Sequence, residues 1–220
     1  KKRWEIMRAF KKYVAPQIVD EVSKGGEFQI SLGGERREIA AMFVDIRGFT
    51  SLSENLEPEE VVEILNEYLN LTTHAIFKNG GTLDKFIGDA TMAVFNAPFD
   101  LDDYIYRAVC TARDIVAGAQ DLEDRMEKRF HKKVNFGIGI SCGPAVVGNV
   151  GCDFRMDYTA IGDTVNTASR LEGKAGASEI LISEPVYEAL KDRIRVTEKG
   201  MIPLKGKAKE ICVYSVDEVL

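Results

Sequence analysis

Two aspartates in this chain stand where strands are expected to run into turns, a placement that suits binding of a hard divalent cation. Asp45 closes the continuous apolar run 39–44, the pattern of a central strand buried on both faces with its polar group at the carboxyl end. After it comes Ile46-Arg47-Gly48-Phe49-Thr50, where the glycine lets backbone amides approach an anion such as a triphosphate. Asp89 follows Gly88 between the short runs 82–87 and 91–95, a β-hairpin signal. On adjacent strands the two carboxylates could converge on Mg²⁺ or Mn²⁺, and two such ions suit phosphoryl chemistry. Taken singly, each has a plainer reading: a helix cap for Asp45, a turn former for Asp89.

Other chemistries find little support. There is no G-x-x-x-x-G-K-[ST] loop, no G-x-G-x-x-G after a strand and no H-E-x-x-H. Only two histidines occur, His74 and His131, and no nucleophile elbow accompanies them. The four cysteines (Cys110, Cys142, Cys152, Cys212) form no C-x-x-C pair, so they read as plain thiols in a reducing cytoplasm. A net charge of −6 argues against nucleic acid as a partner, since a general binder needs a basic face.

The elements that must position these groups follow from hydrophobic spacing. Pro58, Glu59 and Glu60 open a helix striped by Val61, Leu65, Tyr68, Leu69, Thr72 and Ile76, and Gly80-Gly81 stops it. Asp100, Asp102 and Asp103 open a second long helix, striped from Ile105 and Ala108 to Ile115, Ala119 and Leu122. Residues 134–141 alternate as a strand, and 146–150 follow after Gly143-Pro144, which reads as another hairpin. The order is β-α-β-β-α-β: an α+β fold with the ferredoxin-like split βαβ core, an antiparallel sheet with helices on one face. A C-terminal α/β extension follows, with a helix over 161–172, apolar runs at 180–182 and 186–190, and closing strands around 195–204 and 211–216. Upstream, Trp4, Met7, Phe10, Val14, Ile18 and Val22 share one helical face, broken near Pro16. That helix either packs on its own domain or pairs with its twin and passes a signal onward. Residues 24–37, with four glycines, read as a loop or hairpin.

Three separated stretches resemble the class III adenylate and guanylate cyclases: Phe43-Val44-Asp45-Ile46-Arg47-Gly48-Phe49-Thr50, Asp84-Lys85-Phe86-Ile87-Gly88-Asp89, and residues 157–170 (DYTAIGDTVNTASR). The resemblance runs from about Arg36 to the carboxyl end, and the preceding helix is similar to family linkers. It implies a catalytic domain over 36–220 behind an N-terminal linker or signalling helix and loop over 1–35. The implied reaction turns ATP into 3′,5′-cyclic AMP and pyrophosphate with two divalent metal ions, Mg²⁺ or Mn²⁺. By the same resemblance Asp45, Asp89 and the Ile46 carbonyl would ligate the metals, and Gly48, Phe49 and Thr50 would cradle phosphates. Lys85 matches the base-selecting lysine of adenylate cyclases, where guanylate cyclases usually carry glutamate. Thr159 matches its partner in reading the adenine edge; animal transmembrane enzymes have Asp there, and a bacterial and soluble subgroup has Thr.

Asn166 and Arg170, four apart and so on one helical face, match the pair that orients the ribose and stabilises charge at the α-phosphate, a target suited to a guanidinium. Lys205 matches a phosphate-binding lysine, with Lys207 as the alternative, and Arg155 a contact to the β- and γ-phosphates. For Lys205 and Arg155 the plainer reading is a solvated surface charge. In the family, the aspartates of one protomer face Lys85, Thr159, Asn166 and Arg170 of the other, which implies a homodimer with two sites and an inactive monomer. The rivals are a guanylate cyclase, a diguanylate cyclase, whose Gly-Gly-Asp/Glu-Glu-Phe hairpin is not seen in 86–92, and an inactive cyclase-like module that dimerises or senses a nucleotide.

The chain opens on Lys1 rather than Met, so it is expected to be a piece of a longer protein with regulatory domains N-terminal to it. No run approaches the ~20 apolar residues of a membrane helix. A cytoplasmic location is expected, either free or as the cytoplasmic domain of a membrane-anchored protein.

Overall fold

The computed structural model describes Val19 and residues 32–203, 205–206 and 208–220; the expected N-terminal helix and Lys207 lie outside the described residues. Within these, one sheet holds β1 (Gly33–Arg47), β2 (Thr82–Ile87), β3 (Ala90–Phe95), β4 (Asn135–Cys152), β5 (Arg155–Ile161), β6 (Ile180–Ser183), β7 (Ile194–Ile202) and β8 (Ile211–Val219). The helices are α1 (Phe49–Ser53), α2 (Pro58–Lys78), α3 (Tyr104–Gly118), α4 (Gln120–Phe130), α5 (Asp163–Lys174) and α6 (Glu184–Leu190). The strand order is β2-β3-β1-β4-β6-β8-β7, with β5 also paired to β4. The first four strands are mutually antiparallel and form the expected split βαβ core. The extension departs from an all-antiparallel sheet, because β6 joins β4 in parallel.

The alternation of β1 divides the interior in two. Ala40, Met42, Val44 and Ile46 face Tyr68 and Ile76 of α2 and Ala108 and Ile115 of α3 in the larger core. Ile39, Ala41 and Phe43 face the other way, onto Val165 and Ala168 of α5. Helices therefore cover both faces of the sheet: the one-sided expectation holds for α2 and α3, while α5 takes the opposite face.

Four local expectations are corrected. Gly143-Pro144 makes no turn, and β4 runs unbroken through it for 18 residues, paired with β1 from Asn149 back to Asn135. Pro144 falls between the stretch of β4 paired with β6 (138–140) and the stretch paired with β5 (146–152). A missing N–H is tolerated at such a free edge. The hairpin lies further on, joining β4 to β5, and the region expected to begin a helix at 161 is instead the end of β5. The second long helix breaks at Ala119 into α3 and α4. Finally β1 begins at Gly33, inside the segment expected to be a loop or hairpin ahead of the core.

Helix α5 lies hard against β4 at Gly139, where any side chain would collide with the Glu172 amide and the Ala168 carbonyl. Gly139→Ala should therefore lift α5 from the sheet and cost about 3 kcal/mol, the upper range of overpacking penalties. A urea midpoint equal to wild type would refute this contact.

Candidate functional site

Side chains two apart on a strand share a face, so Asp45 and Arg47 extend the α5-facing side of β1 beyond Phe43. There Arg47 acts as a four-point clamp. Its Nη1 donates to Asp45 Oδ2 at 3.1 Å and its Nη2 to Glu172 Oε1 at 2.6 Å. Nη2 also donates to the Glu172 carbonyl, and Nε to the Ala175 carbonyl at 2.8 Å. Gly137, opposite Asp45 in the ladder, leaves the space that the guanidinium crosses.

Asp89, in the tight turn of the β2–β3 hairpin, meets the same cluster. Its carboxyl is raised above the ordinary carboxylate range by burial first and then by the neighbouring charge of Asp45. Burial, opposed by Arg47 and reinforced by Asp45, pushes Glu172 up to about 7. Asp45 Oδ1 is buried with no protein partner. Three acidic groups thus share one guanidinium, and one buried oxygen stands unpaired. Among the described residues no three such side chains converge as metal ligands, but the Asp45–Asp89 pair with its unpaired oxygen suits a divalent cation, and the buried Ile46 places its carbonyl next in the chain.

A second group gathers where β2 meets β5. The register of β2 slips between Leu83 and Lys85, which makes Asp84 a bulge residue outside the ladder. The Thr159 hydroxyl of β5 donates to Asp84 Oδ2 at 2.5 Å, and Lys85 Nζ lies 3.7 Å from Oδ1. Burial raises the Asp84 carboxyl, while Thr159 and Lys85 oppose that shift. Lys85 and Thr159, paired by sequence reasoning, are therefore brought together through a residue between them.

The remaining candidates are spread along the rim. Asn166 is exposed and Arg170 half-buried on α5. Gly206 packs against the Arg170 guanidinium, which sets the exposed Lys205 in the adjoining turn. Gly48 adopts φ 83° before α1, and a side chain there would press on the Lys133 carbonyl. The Phe49 ring is buried in the main core, so at 49 only the backbone can face a phosphate; Thr50 is exposed. Arg155 opens β5 at its exposed hairpin end. Among the described residues, no hydrogen bond or ion pair joins Asp45 or Asp89 directly to Lys85, Thr159, Asn166 or Arg170.

Sequence reasoning did not single out Arg47, Glu172 or Asp84. Arg47 and Asp84 lie inside two of the three cyclase-like stretches, and the two-residue step from Asp45 to Arg47 was a usable signal. Glu172 had none, being 125 residues from Arg47.

A family model described as the adenylate and guanylate cyclase catalytic domain matches residues 34–217. The chain is 35% identical over 212 residues to adenylate cyclase 1 of Rhizobium meliloti (strain 1021), covering 94% of this chain and 31% of that protein. Among solved structures, the adenylyl cyclase CyaB from P. aeruginosa superposes with a TM-score of 0.82 at 39% identity, covering 86% of this chain and 98% of that one. The guanylyl cyclase Cya2 superposes at 0.78 and 35%, covering 86% and 95%. The chain spans less than half the length of the curated relatives named adenylate cyclase that it matches.

With Glu172 near 7 when folded, against an ordinary 4.5, the folded state holds this proton more tightly than the unfolded chain. Its contribution to stability is full below about 4.5 and is lost as pH rises through about 7. In metal-free protein kept in chelator, Glu172→Gln should flatten the fall in melting temperature across that window. An unchanged slope would assign the titration elsewhere.

Proposed function

This chain belongs to the adenylate and guanylate cyclase catalytic domain family, and on that premise we propose that it converts ATP into 3′,5′-cyclic AMP and pyrophosphate at a homodimer interface. The observation that carries the reading is the Asp45–Asp89 pair with its unpartnered buried oxygen beside the Gly48 turn. Asp45, Asp89 and the Ile46 carbonyl would hold two divalent ions. When bound, such ions lower the pKa of an attacking hydroxyl and neutralise a leaving pyrophosphate.

The chain's own groups do the positioning. The Gly48–Thr50 turn offers backbone amides to the phosphates, with Lys205 and Arg155 as neutralising cations at the rim. Asn166 orients the ribose so that its 3′-oxygen lies in line with the α-phosphorus. Arg170 stabilises the charge that builds on the α-phosphate oxygens as the new P–O bond forms and the bond to pyrophosphate breaks. Lys85 and Thr159 read the base, and the lysine favours adenine. A guanylate cyclase is the second reading, favoured by the likeness to Cya2.

Crossing of the half-sites between protomers is supported by exposed apolar side chains on two hairpins. Phe154 stands fully exposed in the turn joining β4 to β5, Val150 and the cross-strand pair Val146–Ile161 are exposed further along that hairpin, and Phe86 and Ile87 end β2. Apolar groups exposed in this way mark a protein interface. Among the described residues no helix is long and apolar enough to cross a membrane. The free thiols of Cys110, Cys142, Cys152 and Cys212 agree with a cytoplasmic setting, and the proposed parent protein carries regulatory domains N-terminal to this chain, since the chain covers only part of its relatives' length.

The test is cyclic-nucleotide production from ATP or GTP with Mg²⁺ or Mn²⁺ at several protein concentrations. Cyclic AMP from ATP, at a specific activity that rises with concentration, is expected. Asp45→Asn and Arg170→Ala should each lose activity by roughly a hundredfold or more. Mixed one to one, they should recover roughly a quarter of wild type, since half the dimers then hold one intact site. Cyclic GMP as the main product would favour the second reading, and no recovery on mixing would refute the crossed sites.

A further inference from the structure

The Asp84 carboxylate is the most enclosed acidic side chain near the base-reading pair, at 1% exposure. It borders a cleft lined by Thr82, Val94, Val147, Tyr158 and Thr159 that is too narrow to admit a water molecule. Its Oδ1 has no hydrogen-bond partner, and its Oδ2 takes the Thr159 hydroxyl at 2.5 Å. A buried acid on a β-bulge, aimed at a side chain on a different strand, is costly to keep unless it orients something. What it orients is a proton. A threonine hydroxyl has one hydrogen to donate and two lone pairs, whereas an ionised carboxylate can only accept. Lys85 Nζ at 3.7 Å and the hydroxyl itself favour the ionised carboxylate against the burial that raises it. With its one hydrogen committed to Asp84, the Thr159 oxygen can present only lone pairs to anything else.

We propose that Asp84 is the positioning residue for base selection: by taking the Thr159 proton it fixes that oxygen as an acceptor, which admits a 6-aminopurine and rejects a 6-oxopurine. The inference rests on the function proposed above, in which Thr159 meets the base. The 6-amino group of adenine donates to such an oxygen, while the 6-carbonyl of guanine faces it lone pair to lone pair. Lys85, tethered to the same carboxylate, reinforces the choice. It donates to the bare N1 of adenine and opposes the N1–H of guanine. Base discrimination then depends on a residue that need not touch the base.

The test compares wild type, D84N, T159V and the double variant by kcat/KM for ATP and GTP. In parallel, calorimetry with Mn²⁺ gives the Kd of 3′-deoxy-ATP and 3′-deoxy-GTP, which bind without cyclising. An asparagine amide can donate to Thr159 and turn its proton toward the substrate, so D84N should lower the ATP-to-GTP ratio about tenfold in both assays. T159V should lower it similarly, and the double variant no further than either single, because Asp84 acts through Thr159. The Mn²⁺ concentration giving half-maximal activity should stay at the wild-type value, which general loosening of the site would shift. Asp84→Ser, smaller and uncharged, carries the same expectation should D84N not fold. A wild-type ratio in these Asp84 variants, or effects of D84N and T159V that simply add, would overturn the inference. Wild-type protein that cyclises neither nucleotide removes the proposed function, and the calorimetric ratio still decides the role of Asp84. ATP-selective wild type whose D84N variant keeps its selectivity removes this inference alone.

Discussion

The backbone of α5 rests on β4 with no side chain between them at Gly139, and the arrangement of acidic groups depends on that close approach. It brings the C-terminal half of α5 over the end of β1, so that Glu172 comes within reach of Arg47 and Arg47 within reach of Asp45. The same helix carries Asn166 and Arg170 on its preceding turns. A helix held away by one methyl layer would still fold onto a sheet, but it would not set a carboxylate, a guanidinium and two backbone carbonyls around one another. Packing here comes before electrostatics, because the hydrogen bonds of Arg47 have short reach and fixed directions.

Electrostatics then makes the site incomplete by design. One guanidinium serves three acidic groups, and burial keeps water from screening what remains. Such a cluster relaxes either by protonation, the direction in which Asp89 and Glu172 are shifted, or by taking up external positive charge. Asp84 is handled differently: it is enclosed as well, but a hydroxyl and an ammonium partner it locally. Two acids on neighbouring stretches of one hairpin thus differ in their surroundings: Asp89 shares one guanidinium with two other acids, whereas Asp84 has a hydroxyl and an ammonium of its own.

Much of this was legible in the residues because it is local. The apolar run ending in Asp45 and the Gly88-Asp89 turn each announce a strand and its end within a few positions, and the structure has both. Gly143-Pro144 misled for the same reason. Turn propensity is also local, whereas the strand that carries β4 through it is β1, a hundred residues earlier in the chain. The break at Ala119 was hidden because Leu122 continues the apolar stripe across it. The Arg47–Glu172 and Asp84–Thr159 contacts join residues 125 and 75 apart. No periodicity reports such contacts, and the bulge that takes Asp84 out of the ladder is set by the pairing of β2 with β3 rather than by any residue type beside it.

The unbroken length of β4 has a consequence for how sequences of this kind can diverge. At about 3.4 Å per residue the strand is roughly 60 Å long, and it carries Gly137 and Gly139 at one end and the hairpin to β5 at the other. Side chains alternate faces along it, so one inserted or deleted residue between these ends would exchange inward and outward positions on one side of the change. Length variation among descendants should therefore collect in the connections at 96–103 and 131–134, while the spacing from Gly139 to Cys152, within β4, stays constant even where the residues between them do not.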